Sequence, residues 1–164
     1  AVKMQRARRQ REAVERMRRF SGMLILYDYQ FDAAGNWIEE PPGPLWLRKL
    51  IGDDLFINVI EIIYWQGDFA DANMENLEYF PQLRSLCLCN SKISDAGLEH
   101  IKDLKQLQEL DLAGSEISDL GLKQLKGLKR LKRLWINDTK VTNAGIEDFK
   151  RALSNVEINP PGGM

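Results

Sequence analysis

Apolar residues recur along this chain in a phrase of fixed length. Val59, Leu83, Leu107 and Leu131 stand 24 residues apart, and each opens the pattern apolar-x-x-apolar-x-apolar: Val59, Ile62, Tyr64; Leu83, Leu86, Leu88; Leu107, Leu110, Leu112; Leu131, Leu134, Ile136. The closing apolar-x-apolar step has the period of a short strand, whose side chains alternate faces. Further along each unit come Phe69, Ile93, Ile117 and Val141, then Asp71, Asp95, Asp119 and Asn143, then Asn73, Gly97, Gly121 and Gly145. Asp and Asn are helix N-cap types, so this series predicts a cap at each helix start, at about 0.5–2 kcal/mol apiece. Glycine suits unusual backbone angles or a close approach. Leu98, Ile101, Leu104 and Leu122, Leu125, Leu128 follow with helical spacing. Each unit therefore predicts strand, turn and helix, and such units bury their apolar faces only by stacking in series. Leu153, Val156 and Ile158 repeat the strand phrase after 22 residues, and Pro160-Pro161-Gly162-Gly163 then stops it as a terminal cap.

Upstream the phrase is absent. Residues 4–20 mix Arg, Gln and Glu with Ala7, Ala13, Val14, Met17 and Phe20, which predicts a helix with a narrow apolar stripe and a cationic face. Met23 to Phe31 reads as a strand that ends in turn material from Asp32 to Asn36. Pro41-Pro42-Gly43-Pro44 forces an extended turn, and Pro44 suits the first position of a helix through Trp46, Leu47, Leu50 and Ile51. Asp53-Asp54 reads as a loop and cap before Leu55. The organisation expected is 1–20 a basic amphipathic helix, 21–58 an N-terminal α/β cap, 59–158 four repeats with a terminal strand, and 159–164 a tail.

The phrase Leu83-x-x-Leu86-x-Leu88-x-x-Ser91, followed by Ile93-Ser94-Asp95-Ala96-Gly97-Leu98, resembles the leucine-rich repeat family. The nearest flavour is the short, cysteine-containing type, with Gly67, Ser91, Ser115 and Thr139 at the position often held by Asn. The resemblance implies an α/β fold: a right-handed solenoid with parallel strands on the concave side and helices on the convex side. The whole chain is also similar to planctomycete leucine-rich repeat proteins. In those, a segment like Arg6 to Val14 follows a hydrophobic helix, and an element like residues 41–48 precedes the repeats. That similarity implies a membrane anchor upstream of Ala1.

Composition narrows the function. At 164 residues and 44% hydrophobic content, the chain has material for one domain with a packed core. Its net charge of −1 argues against binding nucleic acid through bulk charge. Residues 1–20 nevertheless hold Lys3, Arg6, Arg8, Arg9, Arg11, Arg16, Arg18 and Arg19 against Glu12 and Glu15, so a basic arm of +6 precedes a body of −7. Lys123 to Arg133 carries a second run of six cations without an acid. Cys87 and Cys89, one residue apart, do not make a disulfide framework, which points to a reducing compartment. The anchor implied by resemblance would instead place the chain at a membrane, and both localisations stand.

Catalytic patterns are missing. A His-dependent triad has only His100 to draw on, and neither a P-loop nor Gly-x-Gly-x-x-Gly occurs. No cofactor is expected. A metal bound by Cys87 and Cys89 would need two more ligands, and His100 falls on the helix side, so free thiols are expected. The binding surface is the more productive expectation. Residues between the core positions form three inward ladders: Glu61, Ser85, Glu109, Arg133; Ile63, Cys87, Asp111, Trp135; and Trp65, Cys89, Ala113, Asn137. Trp65, Trp135 and Ile63 should share one exposed surface with Glu109, Asp111 and Arg133, the composition of a hot spot. The expected function is non-enzymatic binding of a protein partner on this concave face, with Trp135 as the leading anchor. The alternative is nucleic-acid or anionic-membrane binding through the basic helix and the Lys123–Arg133 patch.

Overall fold

The computed structural model describes residues 2–30, 58–65 and 68–159, with isolated positions between 36 and 45. The expected helix through Trp46 to Ile51, the loop at Asp53-Asp54, Gly67 and the stop at 160–163 lie outside the described residues. Among the described residues, one six-stranded sheet runs in sequence order. Its strands are β1 (Met23–Tyr27), β2 (Val59–Tyr64), β3 (Ser85–Cys87), β4 (Glu109–Asp111), β5 (Arg133–Trp135) and β6 (Glu157–Ile158). The first pair is antiparallel and the rest are parallel.

Register follows the repeat. Ile62 pairs with Leu86, Leu86 with Leu110, Leu110 with Leu134 and Leu134 with Ile158, each step being 24 residues. One stack of fully buried apolar side chains results, from Ile62 through Leu86 and Leu110 to Leu134. Tyr64, Leu88, Leu112 and Ile136 form a second stack beside it. Main-chain bonds tie each unit to the next past the strand ends, as from Leu88 N–H to Asp111 carbonyl and from Leu112 N–H to Trp135 carbonyl, both 2.9 Å. The chain then turns through left-handed residues at Asn90, Gly114 and Asp138, again 24 apart. Asn, Gly and Asp are the types that adopt this conformation at least cost.

The outer layer is less helical than the spacing predicts. It consists of α2 (Asp71–Met74), α3 (Asp95–Leu98), α4 (Asp119–Gln124) and α5 (Asn143–Ala152), with 3-10 turns over Glu75–Tyr79 and Leu125–Gly127. Ile101 and Leu104 are buried from turns rather than from a continued helix. A unit of 24 residues spends most of its length on strand and connections, so only one helical turn fits in α3.

The N-cap expectation needs correction. The capping residues are Ser94, Ser118 and Thr142, whose hydroxyls accept first-turn amides, while Asp95, Asp119 and Asn143 are the first helical residues. Each Asp serves the following repeat instead. Asp71 Oδ1 accepts the Ser94 amide at 2.8 Å, Asp95 Oδ1 accepts that of Ser118 at 2.7 Å, and Asp119 Oδ1 accepts that of Thr142 at 2.8 Å. The second oxygen accepts the hydroxyl in every case, at 2.5, 2.6 and 2.8 Å. A Cβ on Gly97, Gly121 or Gly145 would collide with the Oδ1 atom of Asp71, Asp95 or Asp119. These glycines are therefore demanded by close approach, and none of them has a positive φ.

The basic leading segment is helix α1 (Val2–Met17), and it is part of the folded body. Ala13, Val14 and Met17 join the continuous core, and Ala7 and Gln10 are buried. The helix lies against the 3-10 turn of the first repeat, Glu75–Tyr79. Phe20 then meets Phe69 and Tyr64 edge-on, with ring centroids 5.4 and 6.4 Å away. Helix α1 and β1 together close the first end of the core.

Candidate functional site

Alternation along β2 to β5 places the first two expected ladders on the inner face, while Trp65, Cys89, Ala113 and Asn137 lie just past the strand ends, outside the paired register. Glu61 pairs with Ser85, Ser85 with Glu109 and Glu109 with Arg133; Ile63 pairs with Cys87, Cys87 with Asp111 and Asp111 with Trp135. The first ladder is polar and linked. Ser85 Oγ donates to Glu61 at 3.2 Å, and Arg133 forms an ion pair with Glu109.

The second ladder corrects the exposure expected of it. Trp135 is 4% exposed, Asp111 4% and Cys87 1%. Alternation assigns a face but not its depth, and these three side chains are the buried floor of that face. The Arg133 guanidinium stands 5.6 Å from the Trp135 ring centre, a cation–π placement. Exposure instead gathers at the first end of the face. Trp65 is 52% exposed and Leu24 41%, and Ile63 is half-buried. Leu24 pairs directly with Ile63 across the antiparallel β1–β2 step, so both point inward. Sequence reasoning missed Leu24; the signal available was its place next to Ile25, whose side chain enters the core. Cys89 and Ala113 are half-buried, and Asn137 is exposed at the far rim.

One cluster on the floor has its own chemistry. Cys87 Sγ lies 3.7 Å from Cys89 Sγ and 3.8 Å from Asp111 Oδ2. Asp111 Oδ1 accepts the Ala113 amide at 2.9 Å. Burial pushes the Cys87 thiol up to about 12. Burial also raises the Asp111 carboxyl above its ordinary value, opposed by the Ala113 amide. Cys87, Cys89 and Asp111 are the one set of three such donors, among the described residues, close enough to hold a metal ion.

The remaining candidates have structural partners. His100 Nδ1 sits 2.6 Å from Glu78, and its repeat equivalents Gln124 and Asp148 meet the Asp95 carbonyl and Lys126. In the Lys123–Arg133 run, Lys126 pairs with Asp148, Arg133 with Glu109, and Arg130 donates to Gln106 at 2.5 Å. Among the described residues no helix is long and apolar enough to cross a membrane.

Comparison with known proteins agrees with the repeat geometry. Residues 81–141 match the family described as leucine rich repeat. With the in-register parallel sheet and the buried leucine stacks, this makes the fold that of a leucine-rich repeat solenoid. No curated protein matches the chain. Among solved structures, the chain is similar to a leucine-rich repeat protein of Leptospira interrogans, at 20% identity and a TM-score of 0.49 over 73% of this chain. It spans 28% of that protein. An internalin from Listeria monocytogenes is similar at 17% identity and a TM-score of 0.39, over 54% of this chain and 32% of its own. The leucine-rich repeat ectodomain of a receptor kinase from Arabidopsis thaliana aligns at 15% identity and a TM-score of 0.45, over 92% of this chain and 90% of its own.

Proposed function

We propose that the inner strand face binds a protein partner, with Trp65 as its anchor. Leucine-rich repeat domains generally mediate protein–protein interaction, and the observation that carries the reading here is the apolar cluster of Trp65, Leu24 and Ile63 beside a charged row. A large aromatic side chain offered to solvent next to aliphatic neighbours has the make-up of a hot spot. Glu61, Ser85, Glu109, Arg133, Cys89 and Asn137 form the polar surround that sets partner choice and register. Cys87, Asp111 and Trp135 support this surface from below. Ala13, Val14 and Met17 of the α1 stripe are occupied by the core, which leaves only Val2 and Met4 as exposed large apolar residues on the helix and speaks against the membrane-surface alternative. Tethering by a segment preceding Ala1, which the planctomycete resemblance implies, is compatible with presenting the inner face.

The test is affinity capture from native extract by immobilised wild type, Trp65→Ala and Glu109→Arg. A protein retained by wild type and lost from both variants, with melting unchanged in Trp65→Ala, supports the reading. Equal retention by all three overturns it. Retention of RNA or anionic vesicles in place of a protein, abolished by added salt, would favour the alternative.

A further inference from the structure

We infer that Cys87, Cys89 and Asp111 form a binding site for a borderline-soft divalent cation, zinc being the natural example. The site shares Cys89 with the surround of the docking surface, but it rests on a separate observation, the close approach of three donor atoms, and not on Trp65.

The geometry is already that of ligands around one ion. Zinc bound at about 2.3 Å to each of two tetrahedrally disposed thiolates holds the sulfurs about 3.8 Å apart, and the two sulfurs here are 3.7 Å apart. A carboxylate oxygen bound at about 2.0–2.2 Å stands about 3.6 Å from either sulfur in the same geometry, and Asp111 Oδ2 lies 3.8 Å from Cys87 Sγ. All three donor atoms fall within 4.8 Å of one another. Two of the three separations already match those of a bound ion, and the third closes by at most about 1.2 Å.

The fold fixes these positions for reasons of its own. Leu86 and Leu88 on either side of Cys87 are fully buried, which holds both thiols on the inner side of the strand. Asp111 reaches the pair because β4 is in register with β3, so the third donor comes from a residue 24 positions away. Counting ligands in the local sequence overlooks it. The Ala113 amide engages Oδ1 and orients the carboxyl, a common way of aiming a metal ligand. Cys89, half-buried, marks the side from which an ion enters and where water completes a fourth position. Binding forms two metal–sulfur bonds and one metal–oxygen bond, and the two thiol protons pass to solvent. Two thiolates with a carboxylate favour zinc or cadmium over magnesium and calcium, which prefer all-oxygen sites.

The experiment titrates the reduced full chain with cadmium and follows sulfur-to-cadmium charge-transfer absorbance. A band that saturates at one equivalent, is displaced by zinc and is insensitive to magnesium is the expected result. Asp111→Asn keeps an acceptor for the Ala113 amide; it should retain the band but weaken affinity at least about tenfold. Cys89→Ser, at the half-buried position, should abolish the band while melting cooperatively. In wild type, zinc should protect both thiols from alkylation, a readout that needs no variant. The inference fails if no saturable band appears, if the band survives in Cys89→Ser, if Asp111→Asn binds as tightly as wild type, or if zinc leaves alkylation unchanged.

Discussion

Asp95 holds Ser118 by both of its carboxylate oxygens, one on the amide at 2.7 Å and one on the hydroxyl at 2.6 Å. Ser118 in turn caps α4 through the Leu120 amide at 3.2 Å. A carboxylate in one repeat thus fixes the residue that starts the helix of the next, and the device recurs at Asp71–Ser94 and Asp119–Thr142. Asp95→Ala leaves a half-buried amide without its acceptor, which should lower unfolding free energy by about 1–3 kcal/mol. Urea denaturation with unchanged m-value measures it, and a loss within error would remove Asp95 from the account of how repeats are joined.

Gly121 answers the same carboxylate. Its missing side chain makes room for Asp95 Oδ1, and Leu98 also crowds the space a Cβ would take. Gly121→Ala should therefore destabilise by about 1–3 kcal/mol through overpacking. The same change at Gly127 should be close to neutral, because there the nearest atom is the mobile Lys105 Nζ at 3.2 Å. Asp95 and Gly121 are in contact, so the double change Asp95→Ala with Gly121→Ala should cost less than the sum of the two. Strict additivity in a double-mutant cycle would show that the glycine has some other reason to be there.

Trp65 and Trp135 should separate by readout. Truncating the exposed Trp65 to Ala should shift stability by no more than about 0.5 kcal/mol. Trp135→Ala empties a buried position and should cost about 3–5 kcal/mol. Acrylamide quenching of each single-tryptophan variant at these two positions gives the matching optical test, with Trp65 the more accessible. Comparable melting losses in both would contradict the burial difference.

The period of 24 residues was enough to specify strand order, register and both leucine stacks, because each depends on which face a residue occupies. Side-chain type could not choose between neighbours with the same preference. Ser94-Asp95 and Ser118-Asp119 each offer two good N-cap residues in a row, and only the next repeat's amide, of Ser118 and of Thr142, decides that the serine caps while the aspartate reaches across. Depth was also illegible. Trp135 and Trp65 both lie between core positions, yet one is floor and the other rim. The stripe of α1 announced an amphipathic helix without naming what would cover it, and the cover proved to be the first repeat.

Helix α1 should behave as a structural cap. Met17 is fully buried in the common core, and Val14 is nearly so. Met17→Ala should cost about 2–5 kcal/mol. Deleting residues 1–20 should uncover Tyr64 and Phe69 at the core's end and increase binding of a hydrophobic dye. A truncated chain that melts as wild type does would return the segment to the status of a removable arm.

Acid should act on the last inter-repeat carboxylate in a definite direction. The Thr142 amide and hydroxyl, accepted by Asp119, hold its carboxyl below the ordinary 3.8. A carboxyl depressed by folding contributes stability above its unfolded value and loses that contribution as pH falls through its folded value. Wild type should therefore exceed Asp119→Ala in stability at neutral pH, and the gap should close as the solution is taken below about pH 4. Asp148, lowered by its bond to Lys126, titrates in the same direction, and its charge acts on Asp119 by raising that carboxyl, so the pair is compared again in an Asp148→Asn background. Urea melts of the pair across the acid range read this directly. A gap independent of pH would mean that Asp119 stabilises by packing or helix propensity and not as an ionised acceptor.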